Sequence, residues 1–132
     1  MPIIEGTRVP KVYKGTYSFA AQGGAVSAIA LRSEDGPIPI GSVVTGGYLD
    51  VTDTPDSADS TATIALHVEG ANDIVSAAAV SGAPWSTTGR KDIIPDSTGS
   101  TAVKTTAART PTATIAVQDA TEGAFTLVLY YV

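Results

Sequence analysis

Cysteine is absent from this chain of 132 residues, histidine occurs once, and charged side chains make up only 16% of it. Without cysteine there is no disulfide, no thiolate nucleophile and no thiolate zinc site. The lone histidine, His67, has no second imidazole or thiol for a metal set, and no Gly-x-Ser-x-Gly elbow exists for it to serve as a base. It reads as a strand histidine facing solvent or a subunit contact. Long apolar runs are also missing, since nothing approaches the ~20 residues of a membrane span. Met1–Arg8 carries no basic segment followed by an apolar one, so no secretory leader or membrane attachment is expected. Basic residues are few and scattered (Arg8, Lys11, Lys14, Arg32, Arg90, Lys91, Lys104, Arg109), against a net charge of −5. The pair Arg90-Lys91 is too short to follow a phosphate backbone, which argues against nucleic-acid binding. Gly23-Gly24 and Gly46-Gly47 lack the strand-to-helix context of a phosphate loop. No catalytic residue, metal site or cofactor is expected, and the chain reads as a non-enzyme.

What is present is alternation. The pentapeptide Thr-Ala-Thr-Ile-Ala occurs at Thr61–Ala65 and again at Thr112–Ala116. In the first copy Ala62, Ile64, Leu66 and Val68 share one face; in the second, Ala113, Ile115 and Val117 do. Period-two alternation rich in Thr, Ile and Val describes strands with one buried side. The two copies diverge immediately afterwards, so they read as strands with similar duties rather than as a tandem repeat. Further strands are expected near Val12–Ala21, Ala25–Leu31 and Ser42–Val51, with a bulge or bend at Gly46-Gly47. Asp53–Ser60 reads as a polar loop whose Asp53, Asp56 and Asp59 either hold a cation weakly or are simply solvated. Gly70–Val80 fits a short helix capped by Asn72 or Asp73, or another strand. At the C-terminus, the second pentapeptide, a turn at Asp119–Gly123 and Ala124–Val132 suggest a hairpin.

Apolar residues are 43% of the chain, enough for one core in one domain. Seven or eight strands at regular spacing with little helix predict an all-β fold, a β-sandwich or jelly-roll-like barrel, over residues 12–132. Residues 1–11, bracketed by Pro2 and Pro10, read as an extended N-terminal arm. The last strand is apolar on both faces, which points to a central or covered position. Phe125, Leu127 and Leu129 are expected in the core, with Val128 and Tyr130 turned towards another subunit. Trp85, in Ala83-Pro-Trp-Ser-Thr-Thr-Gly89, has three readings: it plugs one end of the sandwich, anchors a subunit interface, or stacks on a sugar.

Several segments also resemble small virion proteins of tailed bacteriophages: Ile38–Val51, Thr61–Asp73, Ala83–Gly89, Val103–Ala107 and the ending from Pro111 to Tyr131. Over about residues 38–132 the chain is similar to head decoration (cement) proteins, β-rich subunits that sit on an assembled capsid, often as trimers. That resemblance implies a structural protein made in the host cytoplasm and placed on the capsid surface. It would bind the major capsid protein and its own copies, as a homotrimer, with no nucleic acid, membrane or cofactor. Ile3, Ile4, Arg8, Val9 and Lys11 are then the candidate capsid-binding residues, and Trp85, Val128 and Tyr130 the candidate subunit contacts. A head- or tail-fibre module that binds a host-surface glycan through Trp85 is the alternative.

Overall fold

The computed structural model describes residues 10–93 and 103–132. Among them run β1 (Lys11–Ser18), the helical turn α1 (Phe19–Gln22), β2 (Ser27–Ala30), β3 (Val43–Ser57) and β4 (Thr63–His67). Then come β5 (Val75–Ala79), β6 (Gly89–Ile93), β7 (Val103–Lys104), β8 (Thr112–Ala116) and β9 (Ala120–Tyr131). Every pairing is antiparallel. One sheet has the order β1-β9-β3-β6, with β7 beside the start of β3; the other has the order β2-β8-β4-β5. The fold is therefore an all-β sandwich, as the alternation predicts.

The two Thr-Ala-Thr-Ile-Ala copies turn out to be neighbours. Ile64 pairs with Ile115 in the middle of the second sheet, flanked by Thr63 opposite Ala116 and Ala65 opposite Thr114. Ala62, Ile64, Leu66, Ala113 and Ile115 are all buried, so one recipe makes two adjacent halves of the same core face.

The C-terminal hairpin does not form. β8 belongs to the second sheet and β9 to the first, so Val117–Asp119 crosses between layers instead of reversing within one. Asp119 anchors this crossing by accepting the Val26 amide at 2.9 Å. β9 instead lies between β1 and β3, the central place that its two-sided apolar character predicts.

The polar stretch Asp53–Ser57 is not a loop either. β3 continues through it for 15 residues against β9, with register shifts after Val51, Asp53 and Asp56. Pro55 fits because Gly123 lies opposite: a Cβ on Gly123, whose φ is 135°, would stand 2.7 Å from the Pro55 backbone. The bulge expected at Gly46-Gly47 is present, with a shift between Val44 and Gly46. A Cβ on Gly47 would sit 2.1 Å from the Val128 carbonyl oxygen, so β9 approaches there only because the residue is glycine.

Of the two readings for Gly70–Val80, the strand holds. The Asp73 carboxylate accepts the amides of Val68, Glu69 and Gly70, closing a tight turn. Ile74 then donates to the Leu66 carbonyl, returning the chain alongside β4 as β5.

The interior is organised around three aromatic rings. Tyr17 of β1 stacks on Phe125 of β9 at 5.3 Å between centroids, and Trp85 lies tilted against Phe125 at 5.0 Å. Beyond this cluster Leu49, Val51, Leu127 and Leu129 meet Ile64, Leu66 and Ile115 from the facing sheet. On one flank the layers are laced together: after β2 the chain reaches Arg32, whose backbone exchanges hydrogen bonds of 2.8 and 3.0 Å with Thr16 of β1.

Candidate interaction surfaces

Alternation along β1, β9, β3 and β6 builds the outer face of the first sheet. Register sets Val12 beside Tyr130 and Gly46 on the other side of Tyr130. In the next row stand Lys14, Val128, Tyr48 and Asp92, then Thr16, Thr126, Asp50 and Arg90. The Arg90 guanidinium lies 4.8 Å from the centre of the Tyr48 ring, a cation–π contact between neighbouring strands. Tyr130 is 38% exposed and Val12 51%, and Gly46 leaves one flank of the tyrosine without a side chain. Val128, only 5% exposed, is flanked by Lys14 and Tyr48 of its own subunit. The apolar group offered on this face is thus the pair Val12–Tyr130, with Val128 beneath.

Trp85 sits in the connection between β5 and β6, a series of turns in which the Ala83–Pro84 peptide is cis. Its amide donates to Gly82 at 3.0 Å, and its indole Nε1–H donates to the Ile64 carbonyl at 3.2 Å. The side chain is fully buried. Of its three readings, the geometry is that of a plug in the sandwich: no ring surface is left for a partner or a sugar.

Ile3, Ile4, Arg8 and Val9 lie outside the described residues. Lys11 opens β1 opposite Tyr131, so the strand starts one residue earlier than a boundary at 11/12 would have it. His67 is half-buried on the outer face of the second sheet, with Nε2 3.2 Å from the Thr114 hydroxyl. The three aspartates do not converge. The Asp56 carboxylate accepts from the Ser60 hydroxyl and the Ser57 amide, which hold it below the usual carboxylate range, while Asp59 accepts from the Gln118 amide nitrogen. Among the described residues no group of three His, Cys, Asp or Glu side chains could hold a metal ion.

Two features had no signal in the sequence. Glu69, just past β4, accepts Arg109 Nε at 2.8 Å and a second guanidinium nitrogen at 3.2 Å. The same carboxylate takes the Thr106 hydroxyl at 2.6 Å and its amide at 3.1 Å. Arg109 foremost, then Thr106, pulls the Glu69 carboxyl down to about 2. Forty residues separate the ionic partners, and no local pattern links them. The second feature is a groove of about 490 Å3 beside β1, lined by Lys14, Thr16, Arg32, Ser33, Glu34 and Asp35. Two cations and two carboxylates share it, so it has no net charge to attract an ion.

No family model matches the sequence, and no curated protein does. Solved structures do share the fold. A chain in the capsid of Ralstonia phage GP4 superimposes with a TM-score of 0.68 at 19% identity, covering 99% of this chain and 88% of that one. A chain of the cyanophage Pam1 capsid asymmetric unit gives 0.61 at 21% identity, covering 92% and 83%. A chain from the acid-stable capsid of the Helicobacter pylori bacteriophage KHP30 gives 0.61 at 15% identity, covering 93% and 86%. At these identities the likeness is one of fold: this all-β sandwich is similar, nearly end to end, to chains found in three phage capsids.

Proposed function

We propose that this protein is a structural subunit of a phage virion that binds the outer surface of the capsid as a decoration, or cement, protein. The observation that carries the reading is the near end-to-end likeness of fold to chains from three phage capsids. Those chains are themselves short, since this one covers 83–88% of each. In this reading Ile3, Ile4, Arg8, Val9 and Lys11 engage the major capsid protein, and copies meet as a trimer around Tyr130. Each contact of standard size buries ~800 Å2 per partner, at ~25 cal/mol for each apolar Å2 removed from water. Repeated over a shell, such bridges oppose outward pressure. The alternative of a glycan-binding fibre module relied on an exposed tryptophan, and Trp85 is buried.

Copy number tests the proposal. The purified full chain is added to capsids that lack it, and the decorated particles are imaged by cryo-EM. Hundreds of copies at regular positions on the shell are expected. Density confined to a vertex or tail, or none at all, overturns the assignment.

A further inference from the structure

Among the described residues the only ion pair is that of Glu69 with Arg109. Yet Lys14, Arg32, Glu34 and Asp35 line one groove of about 490 Å3 beside β1, and none of the four pairs with another. Two of them have structural partners instead. The Asp35 carboxylate accepts the Lys14 amide at 2.9 Å, and the Arg32 guanidinium donates to the Ala21 carbonyl at 3.2 Å. The Lys14 ammonium and the Glu34 carboxylate have no partner among the described residues, and both side chains are exposed. Backbone bonds between Thr16 and Arg32 set the segment of Glu34 alongside β1. The cleft therefore holds an unpaired cation on its β1 wall and an unpaired carboxylate on the wall opposite.

A single ion finds no net charge there, but a segment bearing both signs finds a match. The chain carries such a segment itself. Ahead of Pro10 its only charged side chains are Glu5 and Arg8, in the run Glu-Gly-Thr-Arg. In an extended chain, side chains three residues apart stand about 10 Å from each other and point to opposite sides. That is the disposition needed to meet Lys14 on one wall and Glu34 on the other.

We infer that the groove receives the Glu5–Arg8 stretch of a second copy, with Glu5 set against Lys14 and Arg8 against Glu34. The same chain is poorly placed to fill it. Lys14 and Thr16 lie inside β1, and the chain ahead of Lys11 leaves the strand in the opposite direction. Folding back would need a reversal at Pro10. Proline suits the second position of a turn whose next residue bends, but Lys11 is already extended in β1 opposite Tyr131. Proline also biases the residue before it towards extended geometry. A contact from the arm of one copy to the groove of the next runs head to tail, the type that closes a ring of three. Only that number rests on the trimer proposed above; the contact itself forms in solution, before any capsid is met.

Sedimentation equilibrium of the full chain without capsids, at low and at high salt, tests the inference. Exposed ion pairs are weak and screened, so association is expected between micromolar and millimolar concentration and should weaken as salt rises. Arg8→Glu and Glu34→Lys should each weaken it about tenfold or more, and the two together should restore it to near the wild-type level. The chain has no cysteine, so a mixture of Arg8→Cys and Glu34→Cys chains reports the contact directly. Mild oxidation should link unlike chains into a dimer. A chain that stays monomeric, association indifferent to both reversals, or a double variant no better than the single ones overturns the inference. So does a chain carrying both cysteine substitutions that closes the disulfide within itself. Each of these outcomes leaves the decoration reading standing, because no capsid takes part.

Discussion

Removing the Trp85 side chain would open a void bordered by both sheets. The ring touches Phe125 of the first sheet and bonds the Ile64 carbonyl of the second, so nothing on one side alone can relax into the space. Trp85→Ala is expected to cost about 3–5 kcal/mol, the range for a large aromatic lost from a core. Urea denaturation followed by circular dichroism measures it; an unchanged midpoint would contradict the plug. Val117 presents the opposite case. It is 72% exposed and holds φ at 74°, a left-handed conformation that β-branched residues disfavour. Val117→Asn keeps the crossing between β8 and β9 while relieving that strain, and should gain about 1 kcal/mol. A loss of stability on the same assay would mean that the valine makes a contact its exposure does not reveal.

Among the elements, the segment from Val103 to Arg109 is held by polar contacts as well as by the burial of Val103. It begins with the two-residue strand β7 and is tied to the end of β4 by Glu69, through Arg109 and Thr106. The Glu69 carboxyl lies near 2 in the folded protein, below the 4.5 of a free glutamate. A folded value lower than the unfolded one means that the carboxylate favours the native state above about pH 4.5, and that this contribution fades as the pH falls towards 2. Glu69→Gln should therefore lower the thermal midpoint at pH 7 and bring the variant and the wild type together near pH 2. Melting curves across that range decide it, and a gap that persists at pH 2 would assign the effect to packing. The Glu69 site is open to water, so the shift at pH 7 should be small.

At the scale of the whole molecule, the buried core among the described residues runs from Tyr13 to Leu129. Deleting residues 2–9 is expected to leave a soluble body with a cooperative transition and to abolish attachment to capsids. Co-sedimentation of the truncated chain with capsids is the measurement; full retention of binding would refute a role for Ile3, Ile4, Arg8 and Val9. Tyr130→Arg, on the exposed face of the first sheet, should leave the fold intact and disturb assembly of the copies instead. A trimer contact elsewhere would leave that variant unaffected in sedimentation and on the shell.

Local chemistry was enough to determine the class of fold, the strands of both pentapeptides, the bulge at Gly46-Gly47 and the burial of Phe125, Leu127 and Leu129. Each follows from side-chain alternation or from the lack of a Cβ, properties that neighbouring residues carry with them. Only the tertiary structure decided which strands share a sheet. The link Val117–Asp119 is as compatible with a hairpin as with a crossing, and the difference lies in β1 and β3, more than sixty residues upstream, which claim both edges of β9. Asp53–Ser57 looks like a loop because its residues are polar, yet the long partner β9 holds it extended. The Glu69–Arg109 pair and the burial of Trp85 likewise join positions far apart in the chain. Such contacts leave no periodic trace, because their geometry exists only once the two sheets have closed on one another.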